Sequence, residues 1–118
     1  MTPALIDQFD VSEAIVVVID ILRATTTMCV ALDNGAEVIV PVENIETWRS
    51  YQEHGFLIAG ERSGEQLAGF DFGNSPFSFN RETIEDKKLA ITTTNGTRAI
   101  KAAQDRNAKA IVVGSFCN

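Results

Sequence analysis

The sequence predicts an α/β protein, layered α/β/α around a largely parallel sheet, with its ligand site at the carboxyl ends of the strands. Short β-branched runs alternate with helical segments along the chain, and parallel strands need crossover helices of that kind. Polar and charged residues gather just after the β-branched runs. In a parallel sheet those ends share one edge, and ligands bind in the crevice there.

Residues 15–21, "IVVVIDI", form an apolar run broken only by Asp20, the pattern of a strand buried on both faces. Thr25 to Asp33 suit a helix that stops at Asn34-Gly35, where glycine accepts a left-handed cap. "AEVIVPV" reads as a second strand. "ENIETWRSYQEHG" reads as a helix that places Ile45, Trp48 and either Tyr51 or Gln52 on one face before Gly55. "FLIAG" is a third strand, "KLAITTT" a fourth, "GTRAIKAAQDRN" a helix and "KAIVVGS" a fifth strand. Between the third and fourth strands lie some twenty residues, 60–80, rich in Gly, Ser, Asn and Phe and without clear periodicity. A long loop in a compact domain is usually functional or disordered, and the four phenylalanines favour an ordered one.

The 118 residues bound a single domain, 1–118, near the lower end of what buries a self-sufficient core. An apolar content of 45% with 22% charged residues excludes a disordered chain. No apolar run approaches the ~20 residues of a membrane span, and "MTPALIDQFD" lacks the regions of an export signal. Cys29 and Cys117 are too few for a disulfide framework, so a reduced, cytoplasmic protein is expected, without a membrane partner. A net charge of −6 argues against nucleic acid as a partner. It leaves room for a small anion, because Arg23, Arg62 and Arg98 sit in Gly/Ser/Thr/Asn-rich neighbourhoods.

On the inferred edge, Asp20 and Arg23 follow the first strand, Glu61 and Arg62 the third, and Thr92 to Arg98 the fourth; Ser115 and Asn118 follow the fifth. Thr25-Thr26-Thr27 open one helix and Thr92-Thr93-Thr94 precede the start of another, where free N–H groups and the helix dipole favour an oxyanion. Asn95-Gly96 lets the backbone approach a ligand, and Thr97 and Arg98 follow on the first turn. A guanidinium adds a planar fork suited to phosphate, sulfonate or carboxylate. Asp20, Glu61 and Asp71 are the carboxylates able to hold magnesium, which prefers oxygen ligands. Each group also has an architectural use: the threonines as caps and β-formers, Asp20 as a helix cap, Glu61-Arg62 as a surface pair. His54 beside Gly55 reads as a cation at a helix end, and Cys29, Trp48 and Tyr51 as packing. Convergence on one edge favours the functional reading.

Four segments in this order, "VVVIDILRATTT", "GERSGEQLAGFDFGNSP", "TTTNGTRA" and "VGSFCN", resemble the signature segments of the 2-phosphosulfolactate phosphatase family. The likeness runs from about residue 15 to Asn118. It implies a cytoplasmic, magnesium-dependent phosphatase of coenzyme M biosynthesis that converts 2-phospho-3-sulfolactate into 3-sulfolactate and phosphate. Asp20, Arg23, Glu61 and Arg98 would then be catalytic. Thr25, Thr26, Arg62, Asn74, Ser75, Thr93, Thr94, Asn95, Gly96, Thr97, Ser115 and Asn118 would bind substrate, and Asp20, Glu61 and Asp71 the metal. Family members are about twice this length, so an N-terminal part of a longer protein is expected, either forming a homo-oligomer or associating with a C-terminal half.

Direct, metal-assisted attack by water, with arginine stabilising the transferred phosphoryl group, is the preferred mechanism. A phosphoenzyme on Asp20 stays open, although the second aspartate of aspartyl-phosphate phosphatases is Leu22 here. Two rival readings are a cysteine hydrolase of the isochorismatase-like type using Asp20 and Cys117, and a non-catalytic anion-binding module.

Overall fold

A computed structural model of the chain describes residues 3–118. In chain order it contains β1 (Ile15–Ile19), α1 (Ala24–Asp33), β2 (Val38–Pro41), α2 (Trp48–Glu53), β3 (Phe56–Arg62), β4 (Glu65–Gln66), α3 (Arg81–Ile84), β5 (Lys88–Thr92), α4 (Gly96–Asp105) and β6 (Ala110–Gly114). Short 3-10 segments cover Pro3–Gln8, Ile45–Thr47 and Pro76–Ser78. The five expected strands and the α/β class are therefore present, with β4, α3 and the 3-10 turns as additions.

The strands form two ladders. One has the order β2-β5-β3-β4, parallel through its first three strands, with Phe56 and Gly60 of β3 opposite Lys88 and Thr92 of β5. The short β4 folds back antiparallel on the end of β3 through Ser63 and Gly64, both at positive φ. The other ladder is the parallel pair β1-β6, running from Ile15 opposite Ala110 to Ile19 opposite Gly114. The single sheet expected from sequence is thus two ladders, which side chains join.

Alternation along β5 shows how. Leu89 and Ile91 face a core containing Val18 of β1, Met28 and Ala31 of α1 and Ile100 of α4. Ala90 faces the opposite side, with Ile58, Phe70, Val42 and the flanking Trp48 and Tyr51 of α2. Helices on both faces of a parallel sheet are what its two apolar faces require. Trp48 and Tyr51 thus share the face assigned to them; the side chain of Ile45 lies outside the described residues. His54 caps the carboxyl end of α2, its Nδ1 2.6 Å from the Ser50 carbonyl.

The 60–80 segment is ordered, as expected, because it is laced to β3. The Phe72 N–H donates to the Ile58 carbonyl and the Gly60 N–H to the Phe72 carbonyl, at 3.1 and 3.0 Å. Phe70 and Phe79 are buried and Phe72 stacks edge-on against Phe79, but Phe77 is 93% exposed and anchors nothing among the described residues.

β1 departs from its expected burial on both faces. Ile15, Val17 and Ile19 are 65, 54 and 64% exposed, while Val18 points into the core. β1 pairs with β6 alone, so one face of this ladder has no layer over it among the described residues. Alternate residues of an apolar run then lie on that open face. Contiguous exposed apolar surface of this kind binds apolar-surface dyes. The chain is expected to bind such a dye, and lysine at Val17 and Ile19 to suppress the signal; dye binding unchanged by both substitutions would place the apolar surface elsewhere.

Candidate active site

The first station lies where β1 ends and α1 begins. The buried Thr25 hydroxyl accepts the Asp20 N–H at 2.8 Å and donates to the Gly114 carbonyl at 2.7 Å, so it ties the end of β1 to the end of β6. The Thr26 hydroxyl donates to the Ile21 carbonyl, closing the loop that carries Arg23 to the N-cap of α1. Both threonines hold the station's shape with their hydroxyls already bonded. The Asp20 carboxylate remains available: among the described residues it forms no hydrogen bond or ion pair, and it lines a cleft.

The second station follows β5. Thr93 and Thr97 close on each other: the Thr93 N–H donates to Thr97 Oγ1 at 2.9 Å, and the Thr97 N–H to Thr93 Oγ1 at 3.1 Å. The pair satisfies the Thr97 N–H in the first turn of α4, which a helix start otherwise leaves open, and fixes the loop that leads into it. The two stations touch at Gly96. A Cβ there would lie 2.4 Å from Ala24 Cβ, 3.3 Å from Asp20 Oδ2 and 3.3 Å from Thr93 Oγ1. Glycine is what allows the starts of α1 and α4 to pack together with a carboxylate beside them.

Glu61, at the end of β3, braces this arrangement. It is 8% exposed, and its two oxygens accept the Thr94 N–H and the Gly64 N–H, each at 2.7 Å. Burial alone would raise its pKa. The hydrogen bonds from Thr94 and Gly64, with the Arg62 charge nearby, outweigh that and hold the carboxyl below its ordinary value. Arg62 turns back to donate to the Glu61 carbonyl at 2.8 Å and to Thr92 Oγ1 at 3.0 Å. Because the folded value lies below the unfolded one, the brace contributes its full stability above the ordinary glutamate pKa. That contribution is lost as pH falls through the lowered folded value. Melting temperature against pH is expected to fall less steeply on the acid side for Glu61→Gln than for the unaltered chain; parallel curves would remove Glu61 from the account.

These elements surround a cleft of about 240 Å³ lined by Asp20, Leu22, Arg23, Glu61, Ser63, Gly64, Asn74, Thr94 and Asn95. A second hollow of about 290 Å³ is lined by Glu43, Arg62, Thr93, Thr94 and Arg98. Thr94 borders both. Strand ends β1, β3 and β5 therefore meet at one place, and three arginines flank it.

Several expected residues lie elsewhere. Asp71 is exposed and accepts the Ile58 N–H at 2.8 Å, fastening its loop to mid-β3, and it does not line the cleft with Asp20 and Glu61. Among the described residues no three His, Cys, Asp or Glu side chains group as a metal site. Ser75 caps the turn Pro76–Ser78 through its backbone. Ser115 and Asn118 bond each other, the Ser115 N–H donating to Asn118 Oδ1 at 2.9 Å. Asn118 and Cys117 line a hollow with Cys29 that Asp20 does not line. Leu22, Ser63 and Gly64 line the cleft and Glu43 the adjoining hollow, none of them among the residues expected there from sequence. Ser63-Gly64 after a strand is a turn signal that could have been read as bringing backbone to the edge.

The fold and cleft define an α/β protein with a polar cleft at the carboxyl ends of parallel strands, where two helix starts, arginines and carboxylates meet. The chain belongs to the 2-phosphosulfolactate phosphatase family: the family's model, described as 2-phosphosulpholactate phosphatase, matches residues 1–118. Among curated relatives, a probable 2-phosphosulfolactate phosphatase of Caldicellulosiruptor saccharolyticus is 50% identical over 104 residues, covering 86% of this chain and 42% of that protein. Its namesake in Thermotoga petrophila is 44% identical, over 86% of this chain and 44% of its own length. That of Caldanaerobacter subterraneus is 41% identical over 96% of this chain and 48% of its own. The chain thus spans just under half the length of these relatives. No described helix is long and apolar enough to cross a membrane.

Proposed function

We propose that this chain supplies the phosphate-ester site of a magnesium-dependent phosphatase acting on 2-phospho-3-sulfolactate or a closely similar phosphorylated acid. The observation that carries the reading is the contact of two ten-residue helix starts at Gly96, beside Asp20 and opening on a cleft that Arg23 lines. Two positive dipole ends and a guanidinium suit a phosphoryl group better than a neutral ligand. The names of the relatives supply the substrate.

Asp20, the cleft carboxylate with no internal partner, would hold magnesium, since a hard cation takes oxygen ligands from one or two carboxylates together with substrate phosphate. Bound there, magnesium would offset the phosphoryl charge. The residues of the chain then divide the remaining work. Arg23 and the N–H groups at the helix starts would bind phosphoryl oxygens. Arg62 and Arg98, in the adjoining hollow, would hold the sulfonate and carboxylate. Water attacks phosphorus, the P–O bond to the carbon skeleton breaks, and the proton lost by water is balanced by protonation of the departing alkoxide. The products are phosphate and the hydroxy acid 3-sulfolactate. Glu61 acts through Thr94, as a positioning residue.

Arg98→Lys tests the second hollow. Lysine keeps the charge and loses the fork, so kcat/KM for the sulfonated substrate is expected to fall by roughly tenfold. A phosphorylated acid lacking the sulfonate should show a smaller fall. Equal values in both proteins for both substrates would place Arg98 outside the site. The reading as a whole is tested by phosphate release with and without magnesium.

A further inference from the structure

Two buried side-chain atoms lack a hydrogen-bond partner among the described residues, Asn74 Oδ1 and Thr94 Oγ1, and both residues line the same cleft. Asn74 is only 4% exposed. A buried carbonyl oxygen left unpaired forfeits the hydrogen bonds that water gave it, so its retention calls for a ligand that satisfies it. Its placement is fixed from behind. The Thr27 hydroxyl of α1 donates to the Asn74 carbonyl at 3.2 Å, and Phe72, two residues earlier, is laced to β3.

We infer that Asn74 is a protein ligand, through Oδ1, of the same divalent cation that Asp20 holds. The inference rests on the magnesium-dependent reading above and adds to it the neutral oxygen of the set. A carbonyl oxygen accepts and cannot donate, while a fully ionised phosphate brings only acceptors, so phosphate alone leaves Asn74 unsatisfied. The charged residues lining the cleft are Asp20, Glu61 and Arg23, a negative balance that a cation corrects and a bare anion worsens. Carboxylate and amide oxygens are the donors that hard divalent cations take. Glu61, whose two oxygens already each accept a backbone N–H, is the brace rather than the second ligand. Thr94 Oγ1 remains as a donor to a phosphoryl oxygen.

The test is calorimetric titration of magnesium, and separately of manganese, into the 118-residue chain without substrate. The unaltered chain is compared with Asn74→Leu, Asn74→Asp and Asp20→Asn, and each is melted in the absence of metal. Asn74→Leu is expected to weaken cation binding at least tenfold while its metal-free melting temperature stays equal or rises, because an unsatisfied polar atom is replaced by an apolar group of similar size. Asn74→Asp is expected to bind the cation more tightly than Asn74→Leu. Unchanged affinity in Asn74→Leu, with binding abolished in Asp20→Asn, would overturn the assignment of Asn74 and leave the Asp20 site standing. Absence of binding by the unaltered chain would overturn both. A large metal-free loss of melting temperature in Asn74→Leu with unchanged affinity would make Asn74 a structural residue and also overturn the assignment.

Discussion

Gly96→Ala is expected to destabilise the protein by about 1–3 kcal/mol, the range for forcing an extra methyl into a packed interior. Helix propensity points the other way, favouring alanine by up to ~1 kcal/mol inside a helix. Geometry decides between them. The new methyl would sit 2.4 Å from Ala24 Cβ, and neither carbon can rotate away because each is fixed to its backbone. α4 must therefore shift from α1, carrying Thr94 and Asn95 away from Asp20 and Arg23. Phosphatase turnover should fall further than stability alone accounts for when assayed well below the melting temperature. A variant as stable and active as the parent would mean that the two helix starts do not meet as described.

Asp20→Asn has the second large effect, and it falls on catalysis. The carboxylate forms no internal hydrogen bond or ion pair among the described residues, while the Asp20 backbone keeps its bonds to Thr25 after the substitution. The melting temperature of the metal-free protein is expected to change little. Metal-dependent turnover is expected to fall by on the order of 100-fold or more, beyond what loss of a supporting metal partner costs. If Asp20 only capped α1, its loss would cost about 1 kcal/mol of stability and spare turnover. The two outcomes are separated by measuring melting and kcat on the same preparation.

Much of this arrangement was legible in the sequence, and the parts that were not have physical reasons. Period and punctuation locate β1, α1, β3, β5, α4 and β6, because β-branched runs and Gly stops act locally. Burial of β1 could not be read that way, since an apolar run looks the same with one face covered or two. The convergence of Asp20, Arg23, Glu61 and Thr94 followed from strand direction alone. Their division of labour did not. Thr25 and Glu61 find partners distant in sequence, at Gly114 and Thr94, while Thr93 and Thr97 bond each other where the chain turns into α4, a pairing that a run of threonines does not announce. Asp71 was placed at the edge by composition, yet its loop runs back along β3 and delivers the carboxylate to Ile58. Asn74, three residues on, lines the cleft instead.

Metal-dependent hydrolysis of a phosphate ester is the role proposed for the cleft between the starts of α1 and α4. It is tested most directly by inorganic phosphate release from 2-phospho-3-sulfolactate, catalysed by the gene product that carries this chain, with magnesium and with chelator. The expected result is release that magnesium supports, that chelator abolishes, and that Asp20→Asn lowers by on the order of 100-fold or more with magnesium present. Release unaffected by chelator and by Asp20→Asn, or binding of the phosphorylated acid with no release at all, would contradict it.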